Sequence, residues 1–198
     1  MAATRSPKKL PRSFYARPTL EVAPDLLGKF IVYRSPRGRL AARITEVEAY
    51  IGQDDPACHA SRGKTARNEV MFGPPGFSYI YFIYGMYYCL NVVTEPEGQP
   101  AAVLVRAADP AEGLDLIARR SSGNGPHAWL AGPGKLCRGF GLTRRQNGID
   151  LTRDVLYLED RHAPVEAVGR SPRIGIRVGA ERMWRFYDQN AKSLSRPG

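Results

Sequence analysis

A predicted β-hairpin rich in tyrosine is the feature that most constrains this chain. Residues 78–83 alternate in the manner of a strand, so Tyr79, Tyr81 and Ile83 share one side, because strand side chains repeat every two residues. Tyr84-Gly85 interrupts the alternation before a second strand over residues 86–93, which puts Tyr84 at the hairpin tip. Five of the ten tyrosines lie within residues 79–88. They suit either a sheet core or an aromatic cleft whose ring faces stack on a flat base.

Apolar periodicity and turn residues predict the remaining elements, and 198 residues fit one domain. The predicted strands cover residues 29–34, 40–50, 101–107, 155–158 and 174–178. The predicted helices cover residues 19–27, a segment from Asp109 to Arg120 with Leu114, Ile117 and Ala118 facing inward, and a segment that begins at Gly132. Residues 52–75 are rich in Gly, Pro, Asp and Arg, which is typical of a long functional loop.

The strand over residues 40–50 carries two carboxylates. Its alternation predicts one shared face for Leu40, Ala42, Ile44, Glu46, Glu48 and Tyr50. Glu48 beside the Tyr50 ring would be buried among apolar neighbours and could act as a base toward water. Strand glutamates are more often salt-bridged or exposed at a sheet edge, and Glu46 is an alternative on the same face.

Positive charge indicates a polyanionic partner. The 29 Lys and Arg residues outnumber the 19 Asp and Glu residues, and most of them are arginines, which make bidentate phosphate contacts. Charge alone leaves open a basic protein that never binds nucleic acid. The phosphate-contact candidates are Arg62, Lys64, Arg67, Arg106 and Lys135, the last at a predicted helix start. Residues 1–17 hold five basic residues and no acid, which predicts a flexible basic arm before a single domain over residues 18–198.

The cysteines and histidines are too scattered for a disulfide framework or a metal site. The sequence contains Cys58, Cys89 and Cys137, and His59, His127 and His162, with no CxxC pair. This favours reduced thiols in an intracellular compartment and no metal. No apolar run approaches membrane-spanning length, so no membrane association is expected.

Several motifs occur in an order that is specific to one family. They are Glu48-Ala49-Tyr50, His59 with Arg67-Asn68, the aromatic run 79–87, Asn91, Leu104–Ala107, Gly132–Cys137 and Ser171–Gly175. On these residues the chain closely resembles the alkyladenine (3-methyladenine) DNA glycosylases, the mammalian-type N-methylpurine glycosylases, from about Leu20 to Tyr187. The resemblance implies a single α+β domain with a curved, largely antiparallel β-sheet and surrounding helices. It implies no cofactor and a monomer that acts on double-stranded DNA.

The resemblance also implies a role for each site residue. Glu48 would be the general base that activates water, and Arg106 would help to hold that water or the adjoining backbone. The flipped base would lie between Tyr50, His59 and Tyr81, with Asn91 screening the purine edge. Tyr84 would be the wedge that fills the DNA stack, while Tyr79 and Met86 would support the pocket and the wedge.

The implied activity is excision of damaged purines in a DNA-containing compartment. The substrates would be 3-methyladenine, 7-methylguanine, hypoxanthine and ethenoadenine, each released to leave an abasic site. No lysine matches a Schiff-base role in the family pattern, so a monofunctional enzyme is expected. One alternative is a non-catalytic module that stacks single-stranded nucleic acid, for which a buried Glu48 would be useless. Another is a bifunctional glycosylase with lyase activity, which borohydride trapping would identify.

Overall fold

The computed structural model describes residues 6–123 and 125–197. Over these residues, nine strands form one antiparallel sheet: β1 (Lys8–Lys9), β2 (Phe30–Ser35), β3 (Gly38–Ile51), β4 (Ser78–Ile83), β5 (Tyr87–Val93), β6 (Ala101–Glu112), β7 (Leu156–Asp160), β8 (Val168–Ser171) and β9 (Arg185–Asp188). The α-helices are α1 (Arg12–Tyr15), α2 (Thr19–Asp25), α3 (Leu114–Arg120), α4 (Pro126–Trp129) and α5 (Pro133–Phe140). The predicted α+β class and the antiparallel sheet are confirmed.

The long strand β3 is the centre of the sheet. The main strand order is β1-β7-β2-β3-β6-β5-β4, and β9 joins β3 beyond the end of β2 while also pairing with β8. β3 therefore pairs with β6 along one edge and with β2 and then β9 along the other. Because both edges are paired, the residues in the second half of β3 are held rigidly.

One side of the sheet packs on the helices. Its side chains join those of α2, α3 and α5 in one hydrophobic core that includes Val22, Ile80, Leu90, Val92, Val103, Val105, Ile117, Leu136 and Phe140. The alternate residues of β4, β5 and β6 face the other way, as the two-residue repeat requires. That second side carries the tyrosines, and the long loop after β3 covers part of it.

The single face predicted for residues 40–50 is wrong, because a bulge interrupts the strand. The pairing of β3 with β6 shifts register on either side of Glu46. A bulge shifts the two-residue alternation by one position. The core therefore receives Leu40, Ala42 and Ile44 before the bulge, and Val47 and Ala49 after it. Glu46, Glu48 and Tyr50 consequently lie on the opposite side, with the tyrosines.

The start of one predicted helix and one predicted strand are wrong. β6 continues to Glu112 because residues 109–112 pair with β3, so the helix begins only at Leu114, after Gly113 with φ 70°. Leu114 is exposed on that helix, although Ile117 is buried as predicted. Residues 174–178 form no strand; they are irregular and lie between β8 and β9.

The predicted arm differs from the structure over residues 8–15. Lys8-Lys9 pairs with β7, and Leu10 and Tyr15 are buried in the core. The Arg12 side chain donates to the Asp150 carboxylate at 2.6 Å. Strand pairing, two buried apolar side chains and an ion pair thus anchor this segment; residues 1–5 lie outside the described part. No described helix is long and apolar enough to cross a membrane.

Candidate active site

A cavity of about 450 Å³ opens on the tyrosine side of the sheet, and its volume suits a small planar ligand. The strands, the long loop and the irregular segment after β8 each supply part of its wall. Eight residues proposed from sequence line it together: Tyr50, His59, Tyr79, Tyr81, Tyr84, Asn91, Arg106 and Lys135. The wall also includes Leu104, Ile174–Ile176 and Ala131–Lys135. Tertiary structure therefore brings together residues that are far apart in the chain.

Glu48 lies fully buried directly behind this wall. Its Oε2 accepts from the Tyr50 hydroxyl at 2.9 Å and from Arg106 Nη1 at 3.2 Å, and its Oε1 accepts from the Ile174 amide at 2.7 Å. All three donors belong to residues that line the cavity. A carboxylate has about four acceptor positions, so these bonds leave one on Oε1 for a further donor.

Glu46, the alternative carboxylate, has a different role. Its Oε1 accepts from Arg106 Nε at 3.0 Å and from Arg185 Nε at 2.7 Å. Burial alone would raise the pKa of Glu46, but hydrogen bonds from Ser195 and Arg185 and the charge of Arg106 outweigh it and lower the pKa. Glu46 is thus a fixed anion that holds Arg106.

Arg106 stays positively charged beneath the cavity. Burial by itself would lower the pKa of this guanidinium, but the carboxylates of Glu48 and Glu46 outweigh that effect and raise the pKa. Three of its five N–H groups are committed to Glu46, Glu48 and Ser195. The remaining donors can bind a water or substrate oxygen, since Arg106 lines the cavity.

His59 and two tyrosines form an aromatic corner. The His59 and Tyr81 rings are 4.5 Å apart between centres and nearly perpendicular, and His59 Nδ1 is 2.8 Å from the Tyr79 hydroxyl. Burial, together with the charge of Arg67, lowers the pKa of His59 to about 4. Burial raises the pKa of Tyr79 to about 12. This corner is therefore uncharged at neutral pH and adds no charge to repel a cationic ring.

The tip of the β4–β5 hairpin stands at the rim of the cavity. Tyr84 also lines the cavity, yet 76% of its surface is exposed, and Met86 beside it is 65% exposed. Tyr84 and Gly85 have φ values of 54° and 68°, as the central residues of a type I′ turn require. The predicted position of Tyr84 at the hairpin tip is confirmed.

Four cationic side chains predicted to contact phosphate are exposed. Arg62, Lys64 and Arg67 lie in the long loop after β3, and Lys135 lies in the first turn of α5 at the cavity mouth. Arg67 also packs over the Tyr81 ring, 5.4 Å from its centre. Among the described residues none of the four forms an ion pair, which leaves their charges available to an anion.

Sequence reasoning assigned no role to several residues that build the site. Ile174 begins the segment predicted as a strand, Arg173 directly precedes that segment, and Ser195 comes from the chain after β9. The Pro172-Arg173-Ile174-Gly175 motif was a usable signal, since proline and glycine around it disfavour a strand. Within the described ranges, no group of three His, Cys, Asp or Glu residues could hold a metal ion. Cys58, Cys89 and Cys137 are buried free thiols.

Comparison with known proteins gives a consistent result. A family model described as Methylpurine-DNA glycosylase (MPG) matches residues 13–192. A Methanocella arvoryzae protein is 54% identical over 94% of this chain and 96% of its own length. A Carboxydothermus hydrogenoformans protein is 47% identical over 94% and 98%, and an Anaeromyxobacter dehalogenans protein is 48% identical over 96% and 87%. All three bear the name "Putative 3-methyladenine DNA glycosylase".

Proposed function

Since this chain belongs to the methylpurine-DNA glycosylase family, we propose that it is a monofunctional DNA glycosylase that excises alkylated or deaminated purines from duplex DNA. The names of its relatives mention 3-methyladenine. The proposed substrates are 3-methyladenine, 7-methylguanine, hypoxanthine and ethenoadenine. The observation that supports this most is the buried Glu48 carboxylate, bonded to Arg106 behind an aromatic cavity.

The cavity wall would favour the cationic substrates, 3-methyladenine and 7-methylguanine. The electron-rich faces of Tyr50 and Tyr81 attract a cation, and neutral His59 does not oppose it. A flipped base between these rings would be stacked and removed from water. Binding energy from stacking would offset the cost of taking the nucleotide out of the duplex.

Asn91 would act on the purine edge through its shape. Its amide nitrogen donates to the Tyr79 carbonyl at 3.0 Å and to the Cys89 carbonyl at 3.4 Å. These bonds fix the orientation of the amide and leave Oδ1 as its free polar atom. An acceptor would attract the exocyclic amine of guanine electrostatically, so exclusion of normal guanine by Asn91 must be steric.

The residues behind the cavity would activate water. As the N-glycosidic bond breaks, the purine leaves with the bonding electrons, and C1′ develops positive charge. The remaining acceptor position on Glu48 Oε1 would take a proton from water, whose oxygen then bonds to C1′. The negative charge of Glu48 also stabilises the developing cation, and the uncommitted N–H groups of Arg106 would orient the water.

The exposed residues around the mouth would bind and distort the duplex. Tyr84 at the hairpin tip would fill the space left by the extruded nucleotide, with Met86 supporting it. The unpaired cations of the loop and of Lys135 would contact phosphates on the same side as the cavity.

The decisive experiment is single-turnover release of base from duplex oligonucleotides, each carrying one of the four lesions. Glu48→Gln should reduce release by about 100-fold or more while DNA binding is kept, because a general base typically contributes about 10²–10⁴ in rate. Glu97→Gln, an exposed glutamate, is the control and should match the intact protein. No release from any lesion, with tight single-strand binding by all three proteins, would instead establish the stacking module.

Borohydride trapping tests monofunctionality separately. Lys135 is the one lysine among the described residues that line the cavity, so it is the candidate for a Schiff base. We expect no covalent DNA adduct with the intact protein. An adduct that disappears in Lys135→Ala would show the bifunctional alternative to be correct.

A further inference from the structure

We propose that Ser195 is a positioning residue that holds Arg106 in its orientation. The chain after β9 would thereby be part of the active site. The inference rests on the proposed function, because Arg106 must act on the reaction for its orientation to matter to the rate. Ser195 itself does not line the cavity.

The Ser195 hydroxyl forms hydrogen bonds with both Glu46 and Arg106. Its Oγ donates to Glu46 Oε1 at 2.7 Å and accepts from Arg106 Nε at 3.2 Å and Nη2 at 3.0 Å. A serine hydroxyl has one donor and two acceptor positions, so all of its hydrogen-bonding capacity is used here. The backbone amide of Ser195 also donates to Glu46 Oε2 at 2.6 Å.

This contact fixes which edge of the guanidinium faces Glu48. The edge formed by Nε and Nη2 is held by Ser195 and Glu46, which leaves Nη1 to donate to Glu48 at 3.2 Å. Holding a long arginine side chain in one orientation costs rotamer entropy, and the hydrogen bonds to Ser195 help to offset that cost. Ser195 therefore supports the alignment of Arg106 with the carboxylate.

The segment around Ser195 is itself tied to the sheet. Thr45, which lies in the bulge of β3, donates through Oγ1 to the Ser193 carbonyl at 2.6 Å. Arg185 on β9 donates through Nη2 to the Arg196 carbonyl at 2.7 Å. The bulge that turns Glu46 and Glu48 toward the cavity thus also holds the segment that fixes Arg106.

Ser193 provides a matched control. It is buried two residues away, and its hydroxyl has no hydrogen-bond partner among the described residues. Ser193→Ala removes a hydroxyl from the same segment without touching Glu46 or Arg106. Ser195→Ala removes the hydroxyl that bonds both, so a comparison of the two variants separates positioning from general packing.

The test compares single-turnover base release by Ser195→Ala, Ser195→Thr and Ser193→Ala. Loss of a hydrogen bond to charged groups should slow Ser195→Ala by roughly 10- to 100-fold, with the dissociation constant for lesion DNA unchanged. Ser195→Thr keeps the hydroxyl and should keep most of the rate, and Ser193→Ala should match the intact protein. In an Arg106→Gln background, Ser195→Ala should give no further loss. Equal rates for Ser195→Ala and Ser193→Ala would overturn the proposal.

A second readout does not depend on activity. The Arg106 Nη2–H proton that bonds to Ser195 should be protected from solvent exchange in the intact protein and in Ser193→Ala, and should exchange faster in Ser195→Ala, as observed by NMR. Unchanged exchange in Ser195→Ala would overturn the positioning role. If the intact protein releases no base, the proposed function is refuted. The exchange measurement would still test the contact between Ser195 and Arg106.

Discussion

Arg173 stacks on Tyr50: its guanidinium carbon lies 4.6 Å from the centre of the tyrosine ring. Arg173 does not line the cavity, whereas Tyr50 does, so the arginine supports the ring from behind. Both Nη atoms of Arg173 donate to the Asp55 carboxylate, and Nη1 also donates to the Ala49 carbonyl at 3.0 Å. This buried ion pair joins β3, the long loop and the segment that supplies the Ile174 amide to Glu48.

The first prediction concerns that ion pair. Asp55→Ala should lower the free energy of unfolding by about 3–5 kcal/mol, because it leaves the buried Arg173 charge without its partner. Denaturant unfolding measures the effect. The neighbouring Asp54→Ala is the control; its side chain is exposed, and little change is expected. Equal unfolding midpoints for the two variants would contradict the structural role of the pair.

The second prediction separates the strain at the hairpin tip from its function. Tyr84 has a φ of 54°, a left-handed conformation that asparagine adopts more readily than tyrosine. Tyr84→Asn should therefore leave stability unchanged or slightly higher, while it slows base release from duplex DNA. Release from single-stranded DNA should slow less, because no stack has to be filled there. Equal slowing on both substrates would argue against the wedge.

The third prediction concerns His59 and acid. Its pKa is lowered to about 4 in the folded protein, against 6.5 for an unperturbed histidine. Between pH 4 and pH 6.5 the unfolded state binds more protons at His59 than the folded state does. The contribution of His59 to the free energy of unfolding is therefore fully present above pH 6.5 and is lost as the pH falls toward 4. His59→Gln should consequently lose less stability than the intact protein between pH 7 and pH 5, as measured by denaturant unfolding.

The exposed His127 is the control for this measurement. His127→Gln should keep the pH dependence of the intact protein. An NMR titration of the imidazole signals checks the same point directly. A His59 signal that titrates near pH 6.5 would show that the ring is not desolvated as the structure indicates.

The fourth prediction concerns the cations around the cavity. Lys64→Gln and Lys135→Gln should each weaken binding of lesion and undamaged duplex alike. Each should also reduce the slope of log affinity against log salt concentration by about 1, since one phosphate contact is removed. Lys29 is the control, because it is paired with Asp160 at 2.8 Å. If the slope of log affinity against log salt concentration falls equally in Lys29→Gln, the DNA does not bind specifically around the cavity mouth.

Local sequence signals predicted much of the sheet and most of the cavity residues. The β4–β5 hairpin, its tip at Tyr84 and the helix that begins beside Gly132 follow from alternation and turn residues, which act over a few positions. Residues 109–112 have the cap residue, the first-turn proline and the acid that are typical of a helix start. This pattern was misleading because pairing with β3 extends β6 through those residues. Strand pairing over a long edge here outweighed a local helix-start signal.

The sequence by itself determined the residue types of the site: the alternating tyrosines, the Glu48-Ala49-Tyr50 motif and Arg106. Only the tertiary structure decided which carboxylate bonds to Tyr50 and Ile174 in the cavity wall and what holds the other. Glu46 and Glu48 are equivalent in an alternating pattern, and they differ because Arg185 and Ser195 surround the first while Tyr50 and Ile174 bond the second. Those partners lie more than a hundred residues away in most cases, and the bulge that turns both glutamates toward them depends on strand pairing, which no local pattern specifies.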